Sequence, residues 1–108
     1  MYKTIGLYKQ MENPEEFIDF YEQVITPRLL CLPGVVKVEM TRLMASPFRE
    51  SQDESAYFLM VETSFESPEA LQQVLQSPEG METVRLLVER AGESMTAFVG
   101  KSTEWISD

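Results

Sequence analysis

The sequence predicts one α+β domain, covering residues 1–108, in which strands and helices follow one another in the order βαββαβ. Short runs of strand character occur near residues 3–9, 35–42, 57–65 and 95–100. After the first and the third of these runs, the chain carries helix-start signals followed by apolar residues at helical spacing. A chain of 108 residues with 44% hydrophobic content is of the size that forms a single core.

The first half of the chain predicts a strand, a helix and a second strand. Asn13 followed by Pro14 and an early glutamate is typical of a helix start. Pro27 is expected to interrupt or kink this helix, because proline cannot donate to the helical ladder, and Gly34 marks its end. The apolar face of the helix contains five residues at spacings of three and four: Phe17, Phe20, Tyr21, Val24 and Ile25.

The second and third predicted strands differ in pattern. The second strand alternates, which places Val36, Val38 and Met40 on one face. Residues 57–65 are apolar on both faces, as in a strand that is covered on both sides. The polar residues 45–55 between the two strands are expected to form an exposed connection.

The second half repeats the helix-start signal twice, at Ser67-Pro68 and at Ser77-Pro78. It therefore predicts two helices, 68–76 and 78–91, that meet at a bend. A last strand and a tail containing Trp105 follow. The complete order is that of a ferredoxin-like fold, in which a four-stranded antiparallel sheet carries its helices on one face. Because the other face keeps apolar residues, a second copy is expected to cover it in a two-fold homodimer.

Composition excludes several kinds of partner. Eighteen acidic and nine basic residues give a net charge of −9, which disfavours nucleic acid and anionic membrane surfaces. There is no apolar run of membrane-spanning length and no visible signal peptide, so a cytoplasmic location is expected. Cys31 is the single cysteine, which rules out an internal disulfide; it is expected to be a buried, inert thiol.

The chain contains no histidine, and this absence limits its chemistry. Nucleophilic triads that use a histidine base are excluded, as are metal sites with histidine ligands. There is also no glycine-rich phosphate loop, no CxxC pair and no dinucleotide fingerprint. We therefore expect neither a metal nor a cofactor, and any acid–base chemistry must come from carboxylates or tyrosines.

Several segments in succession resemble the EthD family of dimeric α/β-barrel proteins. They are Leu7-Tyr8-Lys9, the helix from Phe17 to Pro27, Leu32-Pro33-Gly34-Val35, Phe65-Glu66-Ser67-Pro68-Glu69-Ala70-Leu71 and Ser77-Pro78-Glu79-Gly80. The resemblance implies a ferredoxin-like fold, a homodimer whose two sheets form a barrel, and a pocket between helices and sheet. Relatives are linked to dehydration or ring-forming steps on aromatic polyketides, and the superfamily includes small-molecule monooxygenases and an isomerase.

The resemblance also identifies one departure. EthD-like sequences typically carry a histidine two residues before the proline of the first helix, and Ile25 occupies that position here. An acid–base role resting on that histidine cannot apply to this chain. Tyr21, one turn earlier, and Tyr8 are the first candidates to replace it, and Glu62 is a third. For each tyrosine the alternative is simple core packing; for Glu62 it is an ion pair with a neighbour such as Lys37 or Arg42.

The leading hypothesis is a small homodimeric protein that binds a hydrophobic or cyclic molecule between the first helix and the sheet. One alternative is a cofactor-free enzyme of isomerase, dehydratase or cyclase, or monooxygenase type that uses tyrosine or carboxylate chemistry. Another is an accessory dimer without a ligand, and whether the chain is an enzyme stays open. The predicted ligand-binding residues are Tyr8, Tyr21, Ile25, Met40, Phe58, Met60 and Phe98.

Overall fold

The computed structural model, which describes residues 1–44 and 57–107, has the predicted α+β fold with all helices on one face of an antiparallel sheet. The sheet has the order β2-β3-β1-β4, and its strands are β1 (Tyr2–Lys9), β2 (Val35–Arg42), β3 (Tyr57–Phe65) and β4 (Met95–Lys101). The α-helices are α1 (Pro14–Phe20), α2 (Thr26–Leu30), α3 (Pro68–Gln76) and α4 (Pro78–Ala91). The predicted connection at 45–55 lies outside the described residues. Within the described residues, no helix has the length and apolar character needed to span a membrane.

A π-helical turn, Tyr21–Ile25, joins α1 to α2, so the regular α-helix is interrupted just before Pro27, as predicted, and resumes at Thr26. In this turn the N–H of Thr26 donates to the carbonyl of Tyr21, five residues earlier. Pro27 has no N–H, and its ring would collide with the carbonyl four residues before it in a regular α-helix. A wider turn immediately before the proline accommodates both effects.

Two irregularities in strand pairing decide which residues enter the core. Tyr8 lies opposite Leu59 and Lys9 lies opposite Tyr57, so Phe58 is an extra residue in its strand. Phe58 and Leu59 are consequently both buried in the same core cluster. In β2 the extra residue is Val36, which is exposed, whereas Val38 and Met40 are half-buried. The prediction that these three residues share one face is therefore wrong for Val36.

The helix starts in the second half follow the predicted pattern, and the first one differs. The hydroxyls of Ser67 and Ser77 each accept a backbone N–H at 3.0 Å, from Ala70 and Gly80 respectively. Asn13 stands at the start of α1 but makes no side-chain cap. The two serine caps fix the bend between α3 and α4, because Ser77 closes one helix and opens the next.

The core has two parts. The larger cluster joins the first helix and α4 to the middle of the sheet, and its largest fully buried members include Tyr8, Ile25 and Leu59. A smaller cluster lies under α3 around Phe65. Gly34 carries the chain past this cluster with a positive φ of 89°, and a Cβ there would lie 2.6 Å from the Cβ of Ala70. Only glycine fits this turn.

The second face of the sheet is uncovered. Its half-buried apolar residues Ile5, Leu7 and Met60 belong to neither core cluster. Lys3 pairs there with Glu62 at 2.7 Å, so the partner of Glu62 is neither of the two predicted cations. We call this surface the open face.

Two further predictions need correction. Arg42 reaches the helix side of the molecule, where it pairs with Glu15 at 3.0 Å. Cys31 is exposed rather than buried, because the chain turns after α2 and the adjacent Leu32 occupies the buried position.

Candidate functional site

A cavity of about 280 Å³ lies between the helices and the covered face of the sheet. The first helix, α3 and α4 form one wall, and β1, β3 and β4 form the other. Every residue that lines it is uncharged at neutral pH, and most are aliphatic. Val84 of α4 and Val99 of β4, both largely exposed, lie at its solvent side. The enclosed part of the cavity therefore presents hydrocarbon with only a few hydroxyl groups.

The π-helical turn shapes the helix wall of the cavity. Tyr21 begins this turn and Ile25 ends it, and both side chains line the cavity. Ile25 is completely buried, so this position of the first helix presents only a hydrocarbon side chain to the cavity. Widened helical turns of this kind occur frequently at functional sites, because the extra residue redirects side chains.

Tyr8 forms the sheet wall by folding back along its own strand over Gly6. A Cβ at position 6 would lie 2.8 Å from Tyr8 Oη and 3.1 Å from Cε2, so the ring occupies the space that a side chain would need. The Tyr8 ring is held from the other side by Phe17, with centroids 5.0 Å apart. The absence of a side chain at Gly6 thus fixes the direction of the Tyr8 phenol.

The two phenols come together with the hydroxyl of Thr63. The Tyr8 and Tyr21 rings meet edge to face at 6.3 Å, and all three residues are buried. Burial raises the pKa of Tyr8 far above its usual value, and the neighbouring Tyr21 raises it further. Burial also raises the pKa of Tyr21, although contacts with Tyr8 and Thr63 oppose that rise. We call these three hydroxyls the hydroxyl trio.

The three hydroxyls of the trio keep hydrogen-bonding capacity that other side chains do not use. Among the described residues, no side-chain hydrogen bond of ordinary length joins its members to each other or to a carbonyl. Among these residues, every side-chain oxygen that is fully enclosed has a hydrogen-bond partner. The unpaired oxygens of the trio are therefore not fully enclosed, and they are reached from the cavity. With raised pKa values, both phenols stay protonated at neutral pH and serve as hydrogen-bond donors, not as bases.

The cavity contains three of the predicted site residues, and a fourth borders it. Tyr8, Tyr21 and Ile25 line it, while Phe98 borders it only from the edge strand β4, where pairing with Ile5 places its side chain on the open face. Met60 and Glu62 lie on the open face, on the opposite side of the sheet. The remaining two, Met40 and Phe58, pack in the larger core cluster away from the cavity. Within the described chain, no three metal-ligating side chains come together.

Sequence reasoning missed most of the cavity lining, and two of the missed residues, Gly6 and Thr63, belong to its polar part. Thr63 alternates with Val61 and Phe65 on the covered face of β3, so the period-2 pattern held the information. A glycine inside a strand is a sign of close approach by another group, which here is the Tyr8 ring.

Comparison with known proteins places the chain among its relatives. The EthD domain family matches residues 9–90. A crystal structure of an ethyl tert-butyl ether degradation (EthD) family protein from Bacillus halodurans superposes with a TM-score of 0.82 and 30% identity, covering 95% of this chain and 99% of that one. No curated protein matches the sequence.

More distant structures share the fold. SnoaB from Streptomyces nogalater, a cofactor-independent oxygenase, has a TM-score of 0.70 at 13% identity, with 99% of this chain and 97% of that chain covered. A dimeric ferredoxin-like protein of unknown function from Jannaschia has a TM-score of 0.64 at 14% identity, with 94% and 97% covered. The extent of the family match and the identity with the Bacillus protein lead to one conclusion: the chain belongs to the EthD family.

Proposed function

We propose that the chain is a homodimeric EthD-domain protein that binds a hydrophobic, cyclic small molecule in the cavity between the helices and the sheet. The observation that carries the proposal is the cavity itself, about 280 Å³ in volume and lined by uncharged residues. A protein interior of this size is ordinarily filled by side chains, because empty space forfeits dispersion contacts. Small-molecule sites are concave, mostly apolar spaces with a few placed polar groups, which is the character of this one.

The open face supports the homodimer. Ile5, Leu7 and Met60 leave apolar surface exposed on it, although they belong to the middle strands of the sheet. The strand register also places three lysines and two glutamates there: Lys3, Lys9, Lys37, Glu39 and Glu62. This face thus carries a small positive charge on a chain whose net charge is −9, so two copies meeting here avoid the repulsion between their acidic surfaces. Dimers also occur among proteins of the same fold.

A second candidate function is a cofactor-free enzyme of isomerase, dehydratase, cyclase or monooxygenase type. The specific observation in its favour is the pair of buried phenols, because the Tyr21 hydroxyl faces the cavity and can hydrogen-bond to a reacting oxygen. SnoaB, which has the same fold, is a cofactor-independent oxygenase. Ile25 and the raised phenol pKa values leave the cavity without a base at neutral pH, which favours binding over catalysis. An accessory dimer without a ligand is the third possibility.

The test is a thermal-shift screen of uncharged and charged cyclic compounds with a matched pair of variants. A ligand at 100 times its dissociation constant stabilises the folded state by about 2.7 kcal/mol, which corresponds to a rise in Tm of roughly 10 °C or more. Val99→Trp should block the cavity mouth and at least halve this rise. Val36→Trp makes the same change on an exposed strand position outside the cavity and should keep it. Absence of any ligand, or equal loss in both variants, would contradict cavity binding.

A further inference from the structure

We propose that the ligand is an uncharged cyclic ketone, and that the Tyr21 hydroxyl donates a hydrogen bond to its carbonyl oxygen while Tyr8 and Thr63 orient that hydroxyl. This inference rests on the proposed function, since it names the class of molecule that the cavity takes. It is drawn from the charge, the size and the hydrogen-bonding capacity of the cavity.

Charge excludes acids and amines. The lining includes no lysine, arginine, aspartate or glutamate, so a buried ionic group on the ligand would have no counter-ion. Transfer of an unpaired charge from water to such a site is far more costly than transfer of a neutral polar group. The net charge of −9 adds a further barrier to anions.

Size limits the ring system. At about 30 Å³ of liquid volume per water, the 280 Å³ cavity corresponds to roughly nine water-sized groups. A fused two-ring molecule has about that volume. A single small ring would leave part of the apolar wall without contacts, which weakens binding.

Hydrogen-bonding capacity favours an acceptor. A phenol has one proton and two lone pairs. Tyr21 lies on the cavity wall with its ring 6.3 Å from that of Tyr8, so the proton of its hydroxyl is available to meet a ligand. No carbonyl or carboxylate among the described residues takes it. A carbonyl oxygen, which only accepts, is the complementary partner.

Position supports the same assignment. Tyr8 is fixed over Gly6, and Thr63 lies on the neighbouring strand, where it pairs with Thr4 in the sheet register. These two hydroxyls therefore belong to the sheet, and that of Tyr21 to the π-helical turn opposite. Tyr8 and Thr63 are positioning residues, and Tyr21 is the contact residue.

The experiment compares three probes with one two-ring skeleton: tetralin, α-tetralone and tetralin-1-carboxylate. Affinities are measured by calorimetry or by ligand-dependent melting at pH 7. We expect α-tetralone to bind at least 10-fold more tightly than tetralin, because tetralin leaves the Tyr21 proton buried and unpaired. The carboxylate should bind at least 100-fold more weakly than the ketone.

Variants assign the preference to the hydroxyl trio. Tyr21→Phe should weaken α-tetralone binding about 10-fold and leave tetralin binding unchanged or stronger, and Thr63→Val should produce part of the same loss. Tyr2→Phe, which removes a phenol hydroxyl outside the cavity, is the matched control and should change neither. In the infrared spectrum, the carbonyl band of bound α-tetralone should shift to lower wavenumber in the wild type and not in Tyr21→Phe.

The outcomes separate this inference from the proposed function. If tetralin and α-tetralone bind equally, or if Tyr21→Phe keeps the ketone preference and the infrared shift, the ketone assignment is overturned while cavity binding stands. If none of the three probes binds, the assignment fails. The wider screen with Val99→Trp then decides whether the cavity binds anything.

Discussion

The covered face and the open face of the sheet are built from alternate residues of the same strands, and they differ in what completes them. On the covered face, Leu59 is fully buried against the first helix and α4. Its neighbour Met60, pointing the other way, stays half-buried and outside both core clusters. Burial within one chain is therefore reached on one face only. The covered face thus stabilises the protomer, and the apolar residues left on the open face support the proposal that two copies associate there.

The polar groups of the two faces differ in the same sense. The open face carries ionic groups, and Lys3 and Glu62 neutralise each other within the plane of the sheet. The cavity on the covered face is lined by hydroxyls and by no charged side chain, and the hydroxyls of Tyr8, Tyr21 and Thr63 meet in it. Charged groups paired within a flat surface permit another surface to pack on it, while neutral hydroxyls in an apolar space recognise a neutral ligand.

The largest expected effect is the loss of a covered-face side chain. Leu59→Ala should lower the free energy of unfolding by about 2–5 kcal/mol, since it removes a fully buried side chain and leaves a cavity. Met60→Ala, at the next residue, should lower the free energy of unfolding by less than about 1 kcal/mol when the protein is diluted enough to be monomeric. Urea unfolding monitored by circular dichroism measures both. Equal losses would contradict the division between the faces.

The next effect concerns association through the open face. Leu7→Glu should raise the dimer dissociation constant at least 100-fold, about 2.8 kcal/mol, because the new carboxylate would be buried without a partner between two copies. Val88→Glu makes the same change on the exposed side of α4 and should leave the dimer intact. Sedimentation velocity measures the oligomeric state. A Leu7→Glu protein that stays dimeric at micromolar concentration would place the interface elsewhere.

Much of this contrast could be predicted from the sequence, because it depends on local patterns. Strand alternation and the serine caps at Ser67 and Ser77 are local features, and they predicted the element order and both later helices. The π-helical turn could not be predicted, since Pro27 permits either a break or a widened turn and the packing of the neighbouring side chains decides between them. The extra residues Val36 and Phe58 changed which side chains face inward, because a pairing shift is invisible in a single strand.

The candidate site was partly predictable for similar reasons. Tyr21 and Ile25 were found because the helical period places them on one apolar face, and Tyr8 because a buried phenol can bind an oxygen of a ligand. Met60 and Glu62 were assigned to the site by residue type, although their register position puts them on the open face. Residue type suggests a chemistry, but the parity of the strand position decides on which side of the sheet that chemistry lies.

The smallest effect appears only in alkali and tests the covered face alone. Unfolding returns Tyr8 and Tyr21 to their usual pKa of 10.0, whereas in the folded state burial holds both pKa values higher. The two phenols thus leave the free energy of unfolding unchanged below pH 9 and lower it as the pH rises past 10. The reason is that only the unfolded chain then loses these protons. At pH 10.5 each phenol should lower the free energy of unfolding by about 0.8 kcal/mol. The Tyr8→Phe, Tyr21→Phe double variant should lose less stability between pH 8.5 and 10.5 than the wild type, by about 1.7 kcal/mol. All other ionisable groups, including Lys3 and Glu62 on the open face, are common to both chains and cancel. Equal losses in urea unfolding at the two pH values would mean that the phenols are not buried as neutral groups.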